Sequence, residues 1–170
     1  MKKKTKKFNL TVLGKNCDSE KRTISDITPL VLSKLVTTRM MNTISLRIEV
    51  RATKLQKNWI GSAINNPNGS QVDRNYTVII KRGMDIEEMI KTLIHEMVHV
   101  YQFATNKLQY RYWKSDKQLH ARWDGEEKGV KDRLDYWTSP WEVEARAITD
   151  KMYNQIIKEY KEILNQRFYS

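Results

Sequence analysis

Two histidines and a glutamate near the middle of the chain form the pattern His95-Glu96-Met-Val-His99. On an α-helix, residues four positions apart lie about 6 Å apart along the axis and on nearly the same face. Two imidazoles in this arrangement can bind one zinc ion at roughly 2.0–2.1 Å each. The glutamate after the first histidine can serve as the general base for a zinc-activated water. The pattern therefore predicts a hydrolytic zinc site with His95 and His99 as ligands and Glu96 as the base.

The segment that carries this motif has the features of an amphipathic helix. Asp85 can cap its start, and the spacing predicts that it ends near Thr105. The chain has only three histidines, and two of them fall in the motif. Apolar residues recur through the segment at helical spacing, at Ile86, Met89, Ile90, Leu93, Ile94, Met97, Val98 and Tyr101. The motif histidines are therefore expected to project from a buried wall.

A hydrolytic zinc site needs a third protein ligand and one open position. We predict Glu144 as that ligand, because it falls in the apolar stripe of a C-terminal helix, where an unpaired carboxylate is costly. His120 is the main alternative. Glu142 is expected to point to roughly the opposite side of that helix as a solvated carboxylate near its start. Glu126 and Glu127 are expected in an exposed turn.

Stabilising the oxyanion of a tetrahedral intermediate needs a polar group that faces the metal. Tyr136 is the residue we expect to play this catalytic role, with His120 and Arg146 as alternatives. Two of these residues also have a structural interpretation: Tyr136 as a packing residue, and Arg146 as the ion-pair partner of Glu142. The four tryptophans at positions 113, 123, 137 and 141 are expected to pack in loops and helices.

The first half of the chain must supply the support for the site helix. A helix is predicted from a cap at Ser25 or Asp26 to about Met41, with Pro29 in its first turn. Residues 1–7 are expected to form a flexible basic tail, and Asn-Pro-Asn-Gly within residues 65–70 predicts a turn. Alternating or β-branched segments predict four strands, at Phe8–Leu13, Ile44–Val50, Trp59–Ile64 and Tyr76–Lys81.

Residues 106–139 are polar, aromatic and irregular, and are expected to form a long loop with a hairpin around Trp123-Asp-Gly125. Ser139 can cap a last helix that has Pro140 in its first turn. The predicted class is α+β, with a sheet before the motif helix, an N-terminal helix and a C-terminal helix. Residues 8–170 are expected to form one domain.

The net charge of +11 is unevenly distributed along the chain. Residues 1–82 hold 17 Lys and Arg against 5 Asp and Glu, whereas residues 83–170 hold 14 against 15. A basic half can bind nucleic acid or an acidic partner, although no known nucleic-acid motif accompanies the charge. The single Cys17 excludes an internal disulfide and a multi-cysteine zinc site. No apolar run reaches membrane-helix length or follows the basic tail as in a signal peptide, so a cytoplasmic location is expected.

Three segments together resemble small phage- and bacteria-encoded zinc metallopeptidases of the minimal gluzincin and SprT-like group. They are the His-Glu-Met-Val-His helix, Trp123-x-Gly125, and Tyr136-x-x-x-Pro-Trp-Glu-Val-Glu-Ala145. The resemblance covers about residues 44–156. It implies an α+β zincin fold in which a small antiparallel sheet lies above the active-site helix and a later helix supplies the third ligand. It also implies a peptide substrate and, for a phage-encoded chain, the host cytoplasm.

The two branches of that group differ in the third ligand that they imply. In gluzincins it is a glutamate that is commonly followed by alanine, which Glu144-Ala145 matches. SprT-like proteins use a third histidine, and His120 is the residue that could match, although Ala121-Arg122 follows it instead of glycine. The leading hypothesis is therefore a zinc metallopeptidase. The alternative is a basic nucleic-acid- or protein-binding module with a structural or vestigial zinc site.

Overall fold

The computed structural model describes residues 7–52, 61–65 and 74–169. The described residues form an α+β structure with four α-helices and two small sheets. The α+β class is therefore confirmed. Most of the predicted basic tail and most of the predicted turn at 65–70 lie outside the described residues, as do the first two residues of the predicted strand at 59–64.

The first sheet is mixed, which corrects the prediction of an antiparallel sheet. Its strands have the order β1-β2-β4-β3; β1 and β2 pair in parallel, as do β2 and β4, and only the edge strand β3 is antiparallel. A helix connects β1 to β2, and such a crossover is what brings two successive strands into parallel alignment. The bounds are β1 Asn9–Leu13, β2 Ile44–Arg51, β3 Gly61–Asn65 and β4 Arg74–Lys81.

The helices cover one face of this sheet. They are α1 Asp18–Leu35, α2 Thr38–Met41, α3 Ile86–Ala104 and α4 Pro140–Tyr169. Helices α1 and α3 pack on the sheet and on each other, and α4 packs against both. The strands place alternate apolar residues under the helices, including the buried Leu46, Ile48, Val50, Val78 and Ile80. The core therefore lies between the sheet and α1 and α3, and α3 is buried between the sheet and α4.

The first helix begins at Asp18, seven residues before Ser25, the first of the two predicted caps. Asp18 and Glu20 lie in its first turn, where acidic side chains complement the helix dipole. Pro29 therefore lies inside α1 instead of in its first turn. The chain also leaves the helix at Val36, and Thr37 caps the separate short helix α2 by accepting a hydrogen bond from the Met40 amide.

Residues 106–139 form a second sheet instead of the long loop that the sequence predicted. Three antiparallel strands follow one another, β5 Leu108–Trp113, β6 Gln118–Trp123 and β7 Glu126–Val130. The predicted hairpin at Trp123–Gly125 is confirmed, and it joins β6 to β7. Asp124 and Gly125 both have positive φ, 49° and 84°, which suits a two-residue hairpin turn.

The predicted helices on either side of this second sheet are confirmed. Asp85 caps α3, and its side chain accepts from the Glu88 amide at 2.9 Å. Ser139 precedes α4, but its hydroxyl donates to the carbonyl of Asp135 instead of capping the helix. In the described part of the chain, no helix combines the length and apolarity needed to cross a bilayer.

Candidate metal centre

Helices α3 and α4 bring two histidines and one carboxylate together. The Nε2 atoms of His95 and His99 lie 3.1 Å apart, as expected for i and i+4 positions on one helix face. Glu142, in the first turn of α4, places Oε2 3.2 Å from His95 Nε2 and Oε1 3.3 Å from His99 Nε2. The three potential ligand atoms lie within 4.8 Å of one another. We call His95, His99 and Glu142 the metal-centre cluster.

The charges in this cluster favour a cation between the side chains. Burial would raise the pKa of the Glu142 carboxyl, but its hydrogen bonds to His95 and His99 outweigh burial and hold that pKa at about 2. Burial would lower the pKa of His99, yet the hydrogen bond to Glu142 and the charge of Glu96 raise it. Two carboxylates thus stabilise positive charge at this point, whether a proton or a metal ion carries it.

The third member of the cluster is Glu142 and not the predicted Glu144. The buried stripe of α4 runs through Glu142, Ala145 and Thr149, whereas Glu144 is one residue out of phase with it and partly exposed. Glu144 forms an ion pair with Lys107 instead. The expectation that Glu142 is solvated on the opposite side of the helix was therefore wrong: Glu142 is buried and joins the cluster, whereas Glu144 does not.

Glu96 lies beside the cluster with an unsatisfied carboxylate oxygen. The side chain is 4% exposed, and Oε2 has no hydrogen-bond partner among the described residues. Burial raises the pKa of Glu96 to about 7, although the charges of His99 and His95 act in the opposite direction. A Cβ atom on Gly61 of β3 would lie 2.7 Å from Glu96 Oε1, so glycine is needed for this close approach.

Gln102 adds a contact to the cluster that the sequence analysis did not identify. It is buried one turn after His99, and its Oε1 lies 2.8 Å from His99 Nδ1. Its Nε2 donates to the carbonyl of Trp141 at 2.9 Å and to Glu144 Oε2 at 3.0 Å. Sequence spacing could have identified Gln102, because position 102 follows His99 by three residues and so lies on the same helix face.

Tyr136 reaches the cluster from the loop before α4. Tyr136 is 55% exposed, and its hydroxyl lies close to the Glu142 carboxylate. Burial of the hydroxyl raises the pKa of Tyr136, and the charges of Glu142 and Glu96 raise it further. Tyr136 therefore lies next to the cluster, and its catalytic role stays a prediction. Arg146 does not pair with Glu142, because it donates to the carbonyl of Trp137 and lies over that indole ring.

The alternative ligand His120 lies in a different cluster on β6. Asp116 Oδ2 is 2.6 Å from His120 Nε2, and Glu127 Oε1 is 3.0 Å from His120 Nδ1. The imidazole also stacks on Trp113 with ring centroids 4.0 Å apart. Both ring nitrogens are therefore engaged, and His120 does not join the metal-centre cluster. The neighbouring Glu126 is an exposed partner of Lys128.

The tryptophans divide between packing and exposure. Trp123 and Trp141 contact each other with ring centroids 6.3 Å apart, as the packing prediction expects. Trp137 is 68% exposed and lies against Tyr136 in an edge-to-face contact at 5.4 Å. The packing prediction is therefore wrong for Trp137, which is exposed beside Tyr136.

No protein-family model matches this chain, and neither a curated protein nor a solved structure matches it significantly. The resemblance to gluzincins and SprT-like proteins thus depends on the motif residues alone. The function has to be inferred from the geometry of the metal-centre cluster and of Glu96.

Proposed function

We propose that the protein is a zinc-dependent metallopeptidase whose protein ligands are His95, His99 and Glu142. The observation that carries this proposal is the convergence of three ligand atoms within 4.8 Å beside a buried carboxylate oxygen that has no partner among the described residues. Unpaired buried polar atoms are rare in native structures and usually have a functional reason. Glu96 and the cluster together supply that reason.

The donor set suits a catalytic zinc ion. Two imidazoles and one carboxylate are a known ligand combination for such sites, which leave a fourth position open for water or substrate. A zinc ion bound there supplies Lewis acidity, which polarises a substrate carbonyl and makes water more acidic. The burial of His99 and Glu142 restricts water around the ligands and so strengthens their electrostatic interactions.

Glu96 is placed to move the protons of the reaction. Its Oε2 is free to accept a proton from the attacking water and to pass it to the leaving amine. A general base works best with a pKa near the working pH, and burial raises that of Glu96 to about 7. Because Gly61 has no side chain, it leaves room for the Glu96 carboxylate.

Tyr136 is the best-placed donor for the developing oxyanion. Its hydroxyl lies at the boundary between the cluster and solvent, where it contacts Glu142. From that position the hydroxyl can rotate and donate a hydrogen bond to an oxyanion that forms on the substrate. Because its pKa is raised, Tyr136 remains protonated and able to donate.

The edge strand β3 favours an extended peptide as the substrate. Among the described strands β3 pairs only with β4, so its other edge can offer backbone groups to an added strand. Gly61 of this strand touches Glu96, which places the edge next to the proposed base. A peptide aligned along β3 would therefore pass the metal-centre cluster.

The proposal is tested by zinc content and by hydrolysis of a mixed peptide library, followed by mass spectrometry. The wild type should hold about one zinc per chain, and Glu96→Gln should keep the zinc but lose hydrolysis by more than about 100-fold. The exposed Glu88→Gln on the same helix is the matched control and should behave as wild type. Wild-type protein without zinc would overturn the metal centre, and a fully active Glu96→Gln would overturn the role of the base.

A second function, binding of nucleic acid through the basic half, is favoured by the outer face of the first sheet. Arg47 and Arg51 project there with more than half of each side chain exposed, although both also pair with Glu49. Phosphate contacts by such residues make affinity fall steeply with salt. Binding of a labelled DNA should therefore weaken strongly between about 50 and 200 mM salt. Weak, salt-independent binding would exclude this function.

A further inference from the structure

Gln102 connects the metal-centre cluster to a chain of polar side chains that ends at the second sheet. The chain runs from His99 Nδ1 to Gln102, then from Gln102 to Glu144 and from Glu144 to Lys107. Gln102 is fully buried, and it also donates to the carbonyl of Trp141. Each of these groups lies in α3, in α4 or directly before β5. The chain therefore joins three elements at the base of the cluster.

The acceptors on α4 decide which way the Gln102 amide points. A backbone carbonyl can only accept, and an ionised carboxylate can only accept. Because Trp141 and Glu144 offer acceptors on one side, the NH₂ group of Gln102 must face them. Its carbonyl oxygen then faces His99. That oxygen can only accept, so His99 must carry a proton on Nδ1.

This chain of donors and acceptors selects one tautomer of His99. With the proton fixed on Nδ1, the lone pair of neutral His99 is on Nε2, the atom that faces His95 and Glu142. The same hydrogen bond fixes the plane of the ring. Partners of this kind make a ligating histidine more basic and orient its lone pair.

Glu144 and Lys107 keep the amide in that orientation. The ammonium of Lys107 pairs with Glu144, and it also lies 4.9 Å from the ring centroid of Trp123 on β6. The Lys107 ammonium thus holds the Glu144 carboxylate in place as an acceptor for the Gln102 amide. The second sheet thus contributes to the cluster without placing a ligand in it.

We propose that Gln102 is a positioning residue that presents His99 Nε2 to the metal, and that Glu144 and Lys107 hold its amide in the required orientation. This inference depends on the proposed zinc centre. A purely structural glutamine would affect the stability of the fold and leave zinc affinity unchanged. The two roles can therefore be separated by measuring both quantities in the same variants.

The first experiment measures the zinc Kd of the full chain by competition with a chromophoric chelator, alongside thermal unfolding. Gln102→Met nearly preserves side-chain volume and removes the acceptor, so zinc binding should weaken about 10- to 100-fold. Thr149→Val is the control, because Thr149 is also buried but, in the part of the chain that the structure describes, its hydroxyl bonds within α4, to the Ala145 carbonyl. Its zinc Kd should equal that of the wild type. An unchanged Kd in Gln102→Met would overturn the inference and leave the zinc centre intact.

Gln102→Glu separates positioning from packing. It keeps an acceptor for His99 but sets a carboxylate against Glu144, so it should be less stable than Gln102→Met and yet bind zinc more tightly. If zinc affinity instead follows stability across the variants, Gln102 is structural and the inference fails.

A ¹⁵N NMR measurement on the zinc-loaded wild type completes the test, because it needs no variant. His99 should bind zinc through Nε2 and show a slowly exchanging proton on Nδ1. Zinc bound through Nδ1 would overturn the inference, and a wild type that binds no zinc would overturn it together with the proposed function.

Discussion

The molecule holds two clusters of histidine and carboxylate side chains, and they differ in what they leave free. In the metal-centre cluster, ligand atoms of His95, His99 and Glu142 converge within 4.8 Å, and Glu96 beside them has an oxygen without a partner among the described residues. In the second cluster, which we call the β6 cluster, His120 lies between Asp116 and Glu127. Only in the metal-centre cluster do ligand atoms from several side chains converge on one point where a metal ion could bind.

The difference shows that placement, and not residue type, decides what such a cluster can do. The two carboxylates of the β6 cluster bind opposite edges of one imidazole, so neither ring nitrogen is left for a metal. The ring also stacks on Trp113 at an interplanar angle of 9°. The β6 cluster is thus satisfied internally and stabilises the β5–β6 hairpin. In the metal-centre cluster, the helical i and i+4 spacing directs two imidazoles the same way.

The largest expected effect comes from removing one histidine from each cluster. His99→Ala should lower zinc affinity by more than about 100-fold, because even the hydrogen-bond partners of ligands are worth about 10- to 100-fold. His120→Ala should leave zinc affinity unchanged. Zinc titration followed by elemental analysis of both variants measures this. Loss of zinc in His120→Ala would show that the β6 cluster contributes to the metal site.

The next effect compares the two glutamates of α4. Glu142→Ala removes a proposed ligand and should lower zinc affinity by more than about 100-fold, whereas Glu144→Ala removes only a support of Gln102 and should cost about tenfold or less. Both variants are measured by the same chelator competition. The reverse order would restore Glu144 as the ligand.

The site helix could be predicted from the sequence because its features agree with one another. A capping aspartate, a long apolar periodicity and the spacing of the two histidines all indicate α3. The phase of α4 could not be predicted in the same way. A buried stripe that contains Trp141 and Ala145 can include either Glu142 or Glu144. The apolar residues of α4 alone therefore do not show which glutamate is buried. Contact with α3 decides between them, and that contact is not a local property of the sequence.

The second sheet was missed for a different physical reason. Its strands place aromatic residues on both faces, and Tyr112 and Trp113 are exposed near the end of β5. The alternation of apolar and polar residues that marks a half-buried strand is therefore weak. The parallel direction of β1, β2 and β4 was also hidden, because strand direction depends on the connections and not on the pattern within a strand.

The unpaired carboxylate oxygen of Glu96 should also affect the free energy of unfolding of the metal-free protein. The pKa of Glu96 is raised from 4.5 to about 7, so the folded state binds more protons than the unfolded state between these values. Its contribution to stability falls as pH rises from about 4.5 to about 7. Glu96→Gln should therefore be more stable than the wild type at pH 8, by at most about 3 kcal/mol, and similar at pH 4.

Chemical unfolding in the presence of a chelator measures this difference, with the exposed Glu88→Gln as control. Glu88→Gln should track the wild type at both pH values. A Glu96→Gln variant that is less stable than the wild type at pH 8 would mean that the Glu96 carboxylate has a partner and is not poised for proton transfer.

The smallest expected effect comes from the β6 cluster and has a different pH window. The hydrogen bond to Asp116 raises the pKa of His120 above 6.5, although burial opposes this, and Glu127 raises it further. Charged His120 therefore stabilises the fold fully below about pH 6.5, and this stabilisation is lost as pH rises through the raised value. The Tm of the wild type should exceed that of His120→Gln by more at pH 6 than at pH 9, and zinc should bind both equally. A Tm difference that does not change with pH would mean that His120 is neutral and acts through its stacking on Trp113 alone.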